Sequence, residues 1–122
     1  MILVETSVWI EHLRSADLVL TGLLTTNQVV MHPFVLGELA LGQISPRDQL
    51  LQDWANLPKL VPATDDEVLE LIARQSLFAR GIGYIDVHLL AALRLAPGVQ
   101  LWSYDKRLNL VAGELGVAMN RG

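Results

Sequence analysis

Four acidic side chains stand where a folded chain has least use for a charge. Glu5 closes the apolar run Met1-Ile2-Leu3-Val4, and Glu38 interrupts the apolar stretch from Phe34 to Leu41. Asp86 lies between Gly83-Tyr84-Ile85 and the run from Val87 to Ala92, and Asp105 follows Val99 to Tyr104, with Leu101-Trp102 at its centre. A carboxylate taken out of water without a partner is destabilising even after the surroundings relax. Four of them, spread over the whole chain in apolar contexts, point to one shared site that a cation neutralises. The chemistry such a site performs is metal-dependent. Taken singly, Asp86 also reads as a first-turn helix acid and Asp105 as an N-cap.

The elements that must position these acids alternate between strand and helix. Ile2 to Glu5 reads as a short buried strand, and Thr6 or Ser7 caps a helix carrying Val8, Trp9, Ile10 and Leu13. A short helix runs from Asp17 to about Leu24, and Gln28 to Met31 is a second strand. Pro33 opens the helix that carries Glu38, at the turn where a missing N–H costs little. Ser45-Pro46 starts another helix, and Lys59 to Val61 is a brief third strand between prolines. Thr64 followed by Asp65-Asp66-Glu67 is a capping box before an apolar helical pattern. Arg80 to Gly83 is a loop, and the helix from Tyr84 to about Ala96 is apolar on nearly every side and therefore deeply buried. Val99 to Ser103 forms a fourth strand, Asp105 to Ala112 a helix, and Val117 to Met119 a candidate fifth strand.

This alternation predicts an α/β domain over residues 1–122, with a parallel sheet of four to five strands flanked by helices. In such sheets the ligand site lies beyond the carboxyl ends of the strands. Glu5 and Asp105 sit at strand ends, Asp86 in the first turn of its helix, and Glu38 must reach the cleft from the side.

Bulk composition narrows the classes. A chain that is 52% apolar and 18% charged is not disordered, and the absence of cysteine excludes a disulfide scaffold and a thiolate zinc site. That usage fits a reducing cytosol, and the expected location is cytoplasmic. No apolar run is long enough to span a bilayer, and the N-terminal residues lack the features of a signal peptide, so no membrane association is expected. The net charge of −4 is opposite to the broad basic footprint of a nucleic-acid binder. Any contact with nucleic acid must be local, bridged by metal or aided by a partner.

The segments Ile2 to Ile10, Gly37-Glu38-Leu39, Arg80 to Ala91 and Leu101 to Leu108 together resemble the PIN-domain ribonucleases, and more narrowly the VapC toxins of bacterial toxin–antitoxin pairs. The resemblance runs along essentially the whole chain, in order. It implies a PIN-like fold and a metal-dependent endoribonuclease in which Glu5, Glu38, Asp86 and Asp105 hold Mg²⁺ or Mn²⁺. It places the hydroxyls of Thr6 or Ser7 near the first acid and Ser103 near Asp105. It also implies a VapB-like antitoxin laid across the cleft, and the exposed apolar positions on the helices suit a homodimer. The first acid departs from the family pattern, which has aspartate where this chain has Glu5. The extra methylene lengthens the reach, and the expectation is a slower enzyme than an aspartate form.

Around the site, Arg80, Lys106 and Arg107 are candidate phosphate contacts. Glu11 reads as a solvated charge. His12, His32 and His88 lack metal-ligand spacing and read as structural; His88, two residues from Asp86, faces another side of its helix. Trp9, Trp54 and Trp102 read as core or interface. Two other classes stand beside the nuclease. One is an impaired PIN-fold binding module that sequesters RNA or its partner, Glu5 having spoiled the metal site. The other, a different α/β phosphate enzyme or a receiver domain, fits poorly: the former wants an acid at position 7, which is serine, and the latter a lysine at the late strand end, which is Asp105.

Overall fold

Three parallel strands form the centre of the molecule in the order β2-β1-β3. In this computed structural model, which describes residues 1–119, the chain runs β1 (Ile2–Val4), α1 (Thr6–Arg14), α2 (Leu18–Thr25), β2 (Val29–Val30), α3 (Pro33–Ala40), α4 (Arg47–Ala55), α5 (Asp65–Arg74), α6 (Tyr84–Arg94), β3 (Gln100–Trp102) and α7 (Lys106–Glu114). β1 is the middle strand and all three of its residues are buried, which is why it reads as an uninterrupted apolar run rather than an alternating one. Ile2 is opposite Val29 on one side and Gln100 on the other. The chain leaves β1 toward β2 in one direction and reaches β3 on the opposite side. The carboxyl ends of β1 and β3 therefore face a topological switch point.

The sheet is narrower than the four to five strands expected. The segments at Lys59 to Val61 and Val117 to Met119 do lie alongside the outer strands, but each makes a single parallel bridge: Met31 with Lys59, and Leu101 with Ala118. Each bridge carries two hydrogen bonds, Met31 N–H to Pro58 O and Leu60 N–H to Met31 O on one edge, Leu101 N–H to Val117 O and Met119 N–H to Leu101 O on the other. Pro58 and Pro62 offer no N–H, so the first edge cannot extend into a ladder. β2 itself spans two residues, not the four read from Gln28 to Met31.

The core is aliphatic, with Leu3, Val4, Leu20, Leu89, Leu90 and Leu101 fully buried. α6 carries the expected all-round burial: every residue from Val87 to Leu93 is buried. Trp9, Trp54 and Trp102 are core residues, and the rings of Trp9 and Trp54 meet at 5.7 Å. Among the described residues no helix is long and apolar enough to cross a membrane.

Helix starts show the local logic. Thr64 and Glu67 form the reciprocal capping box of α5, at 2.8 and 3.1 Å. Pro33 is the first residue of α3, and the N-cap there is His32, whose Nδ1 accepts the Phe34 N–H at 3.0 Å. That bond puts the proton of the neutral ring on Nε2. His32 is fully buried, and burial, followed by the charge of nearby His88, depresses its pKa from 6.5 to about 4. A histidine depressed in the fold stabilises it above the unfolded value, and the contribution is lost as pH falls from 6.5 toward 4, up to about 3 kcal/mol. We expect His32→Asn, which can still cap α3, to flatten the fall in Tm over that window; an unchanged slope would contradict this.

Candidate metal centre

β1 and β3 end side by side, and the Glu5 N–H continues their ladder by bonding Trp102 O at 2.9 Å. Glu5 is the N-cap of α1 and Asp105 the N-cap of α7. Asp86 is the third residue of α6, and its Oδ2 accepts the Gly83 N–H at 3.2 Å. Three helix N-termini thus present a carboxylate each, at the end where the peptide dipoles favour negative charge. Glu38 comes from the sixth position of α3 and reaches the group from the side, as the pattern of its helix required.

Asp86 is the acid that feels the other three. Asp86, half-buried, has its pKa raised, first by loss of water and then by the charges of Glu5, Asp105 and Glu38, against the opposing pull of the Gly83 N–H. Each acid has one oxygen engaged with the protein. Thr6 Oγ1 donates to Glu38 Oε1 at 2.8 Å. Ser7 Oγ and Ser103 Oγ both donate to Glu5 Oε1, at 2.5 and 2.7 Å. The Leu108 N–H donates to Asp105 Oδ1 at 3.1 Å. Among the described residues the second oxygen of each acid accepts no hydrogen bond.

The serines are fixed in turn. The Tyr104 N–H donates to Ser7 Oγ, and the Asp105 N–H to Ser103 Oγ, both at 3.0 Å. Asn109 Nδ2 donates to Ser103 O at 2.7 Å, tying the second turn of α7 to the end of β3. A chain of hydrogen bonds therefore joins the two strand ends through the Glu5 carboxylate. Thr6 and Ser7 were expected as caps of α1. The N-cap is Glu5 instead, with no side-chain cap bond; the two hydroxyls are drawn away to the acids, which are the stronger acceptors. Ser103 bonds Glu5, ninety-eight residues away, as well as its neighbour Asp105.

The donor set, carboxylate oxygens without sulfur or histidine, suits a hard dication of the Mg²⁺ or Mn²⁺ kind. Among the described residues no three acidic, histidine or cysteine side chains stand close enough, as oriented, to enclose an ion. The fit is one of donor chemistry and placement rather than of a closed cage.

The flanking basic residues separate. Arg80 makes a two-pronged ion pair with Glu114, at 3.0 and 2.8 Å, which raises the arginine pKa and lowers that of the glutamate. Lys106 is exposed at the first position of α7. Glu11 is a surface charge facing Arg14 at 3.6 Å. The histidines are structural: His12 accepts the Asp17 N–H, His32 caps α3, and His88 Nε2 lies 3.0 Å from Asp65 Oδ1. Asp65 also accepts the Tyr84 hydroxyl at 2.9 Å, and these two bonds hold its carboxyl below the usual range. It thus links α5 to α6 beside the capping box. The sequence pattern showed only the box, because a tie across nineteen residues leaves no local trace.

A parallel α/β protein with its acids gathered at the carboxyl ends of neighbouring strands defines the class. Comparison with known proteins makes it narrower. No family model matches the chain. The chain is 50% identical over 119 residues to proteins named Ribonuclease VapC32 in two strains of Mycobacterium tuberculosis, covering 98% of this chain and 96% of each relative. This chain belongs to the VapC ribonuclease family.

Proposed function

We propose that this PIN-like protein is a metal-dependent endoribonuclease and the toxin of a type II toxin–antitoxin pair. The observation that carries the reading is the grouping of Glu5, Glu38, Asp86 and Asp105 at the ends of β1 and β3, close enough for the other three to raise the Asp86 pKa. The relatives named as ribonucleases support RNA as the substrate. On this reading the four acids hold Mg²⁺ or Mn²⁺, which would supply a water acidic enough to act as hydroxide near neutral pH and positive charge beside the phosphodiester.

The protein's own contribution is positioning. Ser7 and Ser103 hold one oxygen of Glu5, Thr6 holds one of Glu38, and backbone N–H groups hold one each of Asp86 and Asp105, leaving the other oxygens for the ion. Groups that orient metal ligands typically matter about 10–100-fold in affinity or activity. We therefore expect Ser103→Ala to weaken Mn²⁺ binding about tenfold by calorimetry with little change in Tm. Unaltered affinity would mean that the serine serves the strand junction alone.

A groove between α1 and α3, lined by Ile10, Leu13, Leu39 and Ile44, opens beside Glu38 and suits an apolar segment of a VapB-like antitoxin. Leu18 and Leu110, 86% and 62% exposed on α2 and α7, leave apolar surface for a homodimer. The setting we assign is the cytoplasm, where RNA and antitoxin are both present.

A PIN-fold binding module is the second reading, favoured by glutamate at position 5. The test is cleavage of RNA by the partner-free protein with and without Mn²⁺. Metal-dependent cleavage that is lost in Asp86→Asn supports the nuclease. RNA or partner binding without turnover in any metal supports the module.

A further inference from the structure

A chain with nine lysines and arginines and a net charge of −4 has few ways to meet a polyanion beside four carboxylates. The structure removes most of the candidates. Arg80 is tied to Glu114, while Arg14 and Arg74 make exposed pairs with Glu11 and Glu70 on their own helices, Arg14 in the groove beside Glu38 already assigned to a protein partner. Arg94 lies eight residues beyond Asp86 along α6, about 12 Å away at the helical rise. Lys59 lies outside β2, two strand spacings or about 10 Å from β1. Arg47 donates to Ala40 O at 2.8 Å, and Arg121 lies outside the described residues. Among the described residues Lys106 and Arg107 remain, in the first turn of α7 immediately after Asp105.

Arg107 is placed differently from its neighbour. Its side chain lies against Gly81, so closely that a Cβ there would come within 2.5 Å of Nη1, 2.8 Å of Cδ and 3.1 Å of Cζ. Gly81 also has φ +79°, a conformation that suits glycine. Gly81 is two residues before Gly83, whose N–H holds Asp86. The guanidinium thus rests on the segment between the Asp105 and Asp86 helix starts. Among the described residues it has no acidic partner within ion-pair distance. The first turn of a helix is an unfavourable place for a cation, so neither an ion pair nor the helix dipole accounts for an arginine there.

Resting on the ribonuclease reading above, we infer that Arg107 takes a backbone phosphate of the RNA beside the acidic centre, and that Gly81 is the bare surface on which its guanidinium is held. A planar fork already immobilised on a peptide face loses little freedom when it grips phosphate oxygens with two hydrogen bonds. Arg80, by contrast, is a structural tie between the loop and the last turn of α7.

The test compares wild type, Arg107→Gln, Arg107→Lys and Arg80→Gln on one short fluorescent RNA between 50 and 200 mM salt. Removing one phosphate contact to a single strand lowers the slope of log affinity against log salt by about 0.7. We expect Arg107→Gln to raise KM about tenfold and reduce the salt slope by that amount, with kcat within about threefold of wild type. Arg107→Lys recovers the slope but not all of the KM, and Arg80→Gln lowers Tm with the slope unchanged. An Arg107→Gln that leaves KM and slope at wild-type values, or lowers Tm and kcat with KM unmoved, overturns the inference. Should wild type prove not to cleave, the same variants are compared by RNA anisotropy in EDTA. Arg107-dependent binding there sustains the phosphate contact while the nuclease reading falls; no RNA binding overturns both.

Discussion

Asp86→Asn is expected to abolish cleavage while making the metal-free protein more stable. The loss follows from the proposed role. A metal-held water and the charge beside the phosphodiester are worth several kcal/mol, and each 1.36 kcal/mol is tenfold in rate, so the fall should reach about a thousandfold or more. The gain in stability follows from the fold. The Asp86 pKa is raised by burial and by Glu5, Asp105 and Glu38. An acid whose pKa is raised in the fold stabilises it below the unfolded value and loses that contribution as pH rises through the folded value. At neutral pH the ionised side chain is therefore a net cost, which asparagine removes while its amide oxygen can still accept the Gly83 N–H. A gain of about 1 kcal/mol, or roughly 3–6 °C in Tm, is the expected scale. Thermal melts at pH 7 in EDTA check it. Mn²⁺ should raise the Tm of wild type by mass action and leave the variant nearly unmoved. A destabilised Asp86→Asn would mean that the carboxylate serves the start of α6 rather than a site.

Glu5→Asp is the second large effect, in the opposite direction. One methylene changes the reach of the carboxylate, and a displacement of about 1 Å can cost on the order of a hundredfold. The hydroxyls of Ser7 and Ser103, at 2.5 and 2.7 Å from the same oxygen, hold the longer side chain at its outer end. That restraint absorbs part of the extra length, so the expected gain is nearer tenfold than a hundredfold. Rates on a single RNA under saturating Mn²⁺ provide the measurement. Equal rates would mean that the serines have already made glutamate a full substitute for aspartate.

The parts of this structure that were legible in the sequence are those set by short-range physics. The apolar run of four ahead of Glu5 announced a short buried strand, and the all-round apolar pattern after Tyr84 the buried α6. Thr64 and Glu67 announced their capping box, and Pro33 its helix start. The acids could be picked out because each broke an apolar context, and in the fold Asp86 feels the charge of the other three. What remained hidden depends on residues meeting across the chain. Two outer segments stop at single bridges, the one at Lys59 between Pro58 and Pro62, and how far a segment pairs with a distant strand is not recorded in any local pattern. Thr6 and Ser7 looked like caps because a hydroxyl near a helix start usually is one; only the arrival of Glu38, and the place of Glu5 at the cap itself, diverts them. Arg80 resembled a phosphate contact until Glu114, thirty-four residues on, came within reach.

Calorimetric titration of Mn²⁺ into the partner-free protein and into Glu5→Gln, Glu38→Gln, Asp86→Asn and Asp105→Asn is the most direct test that the four acids act as one centre. A single cation-binding event in wild type, weakened about tenfold or more by every one of the four changes, is the expected result. Binding that survives any two of them unaltered, or no binding to wild type, would contradict it.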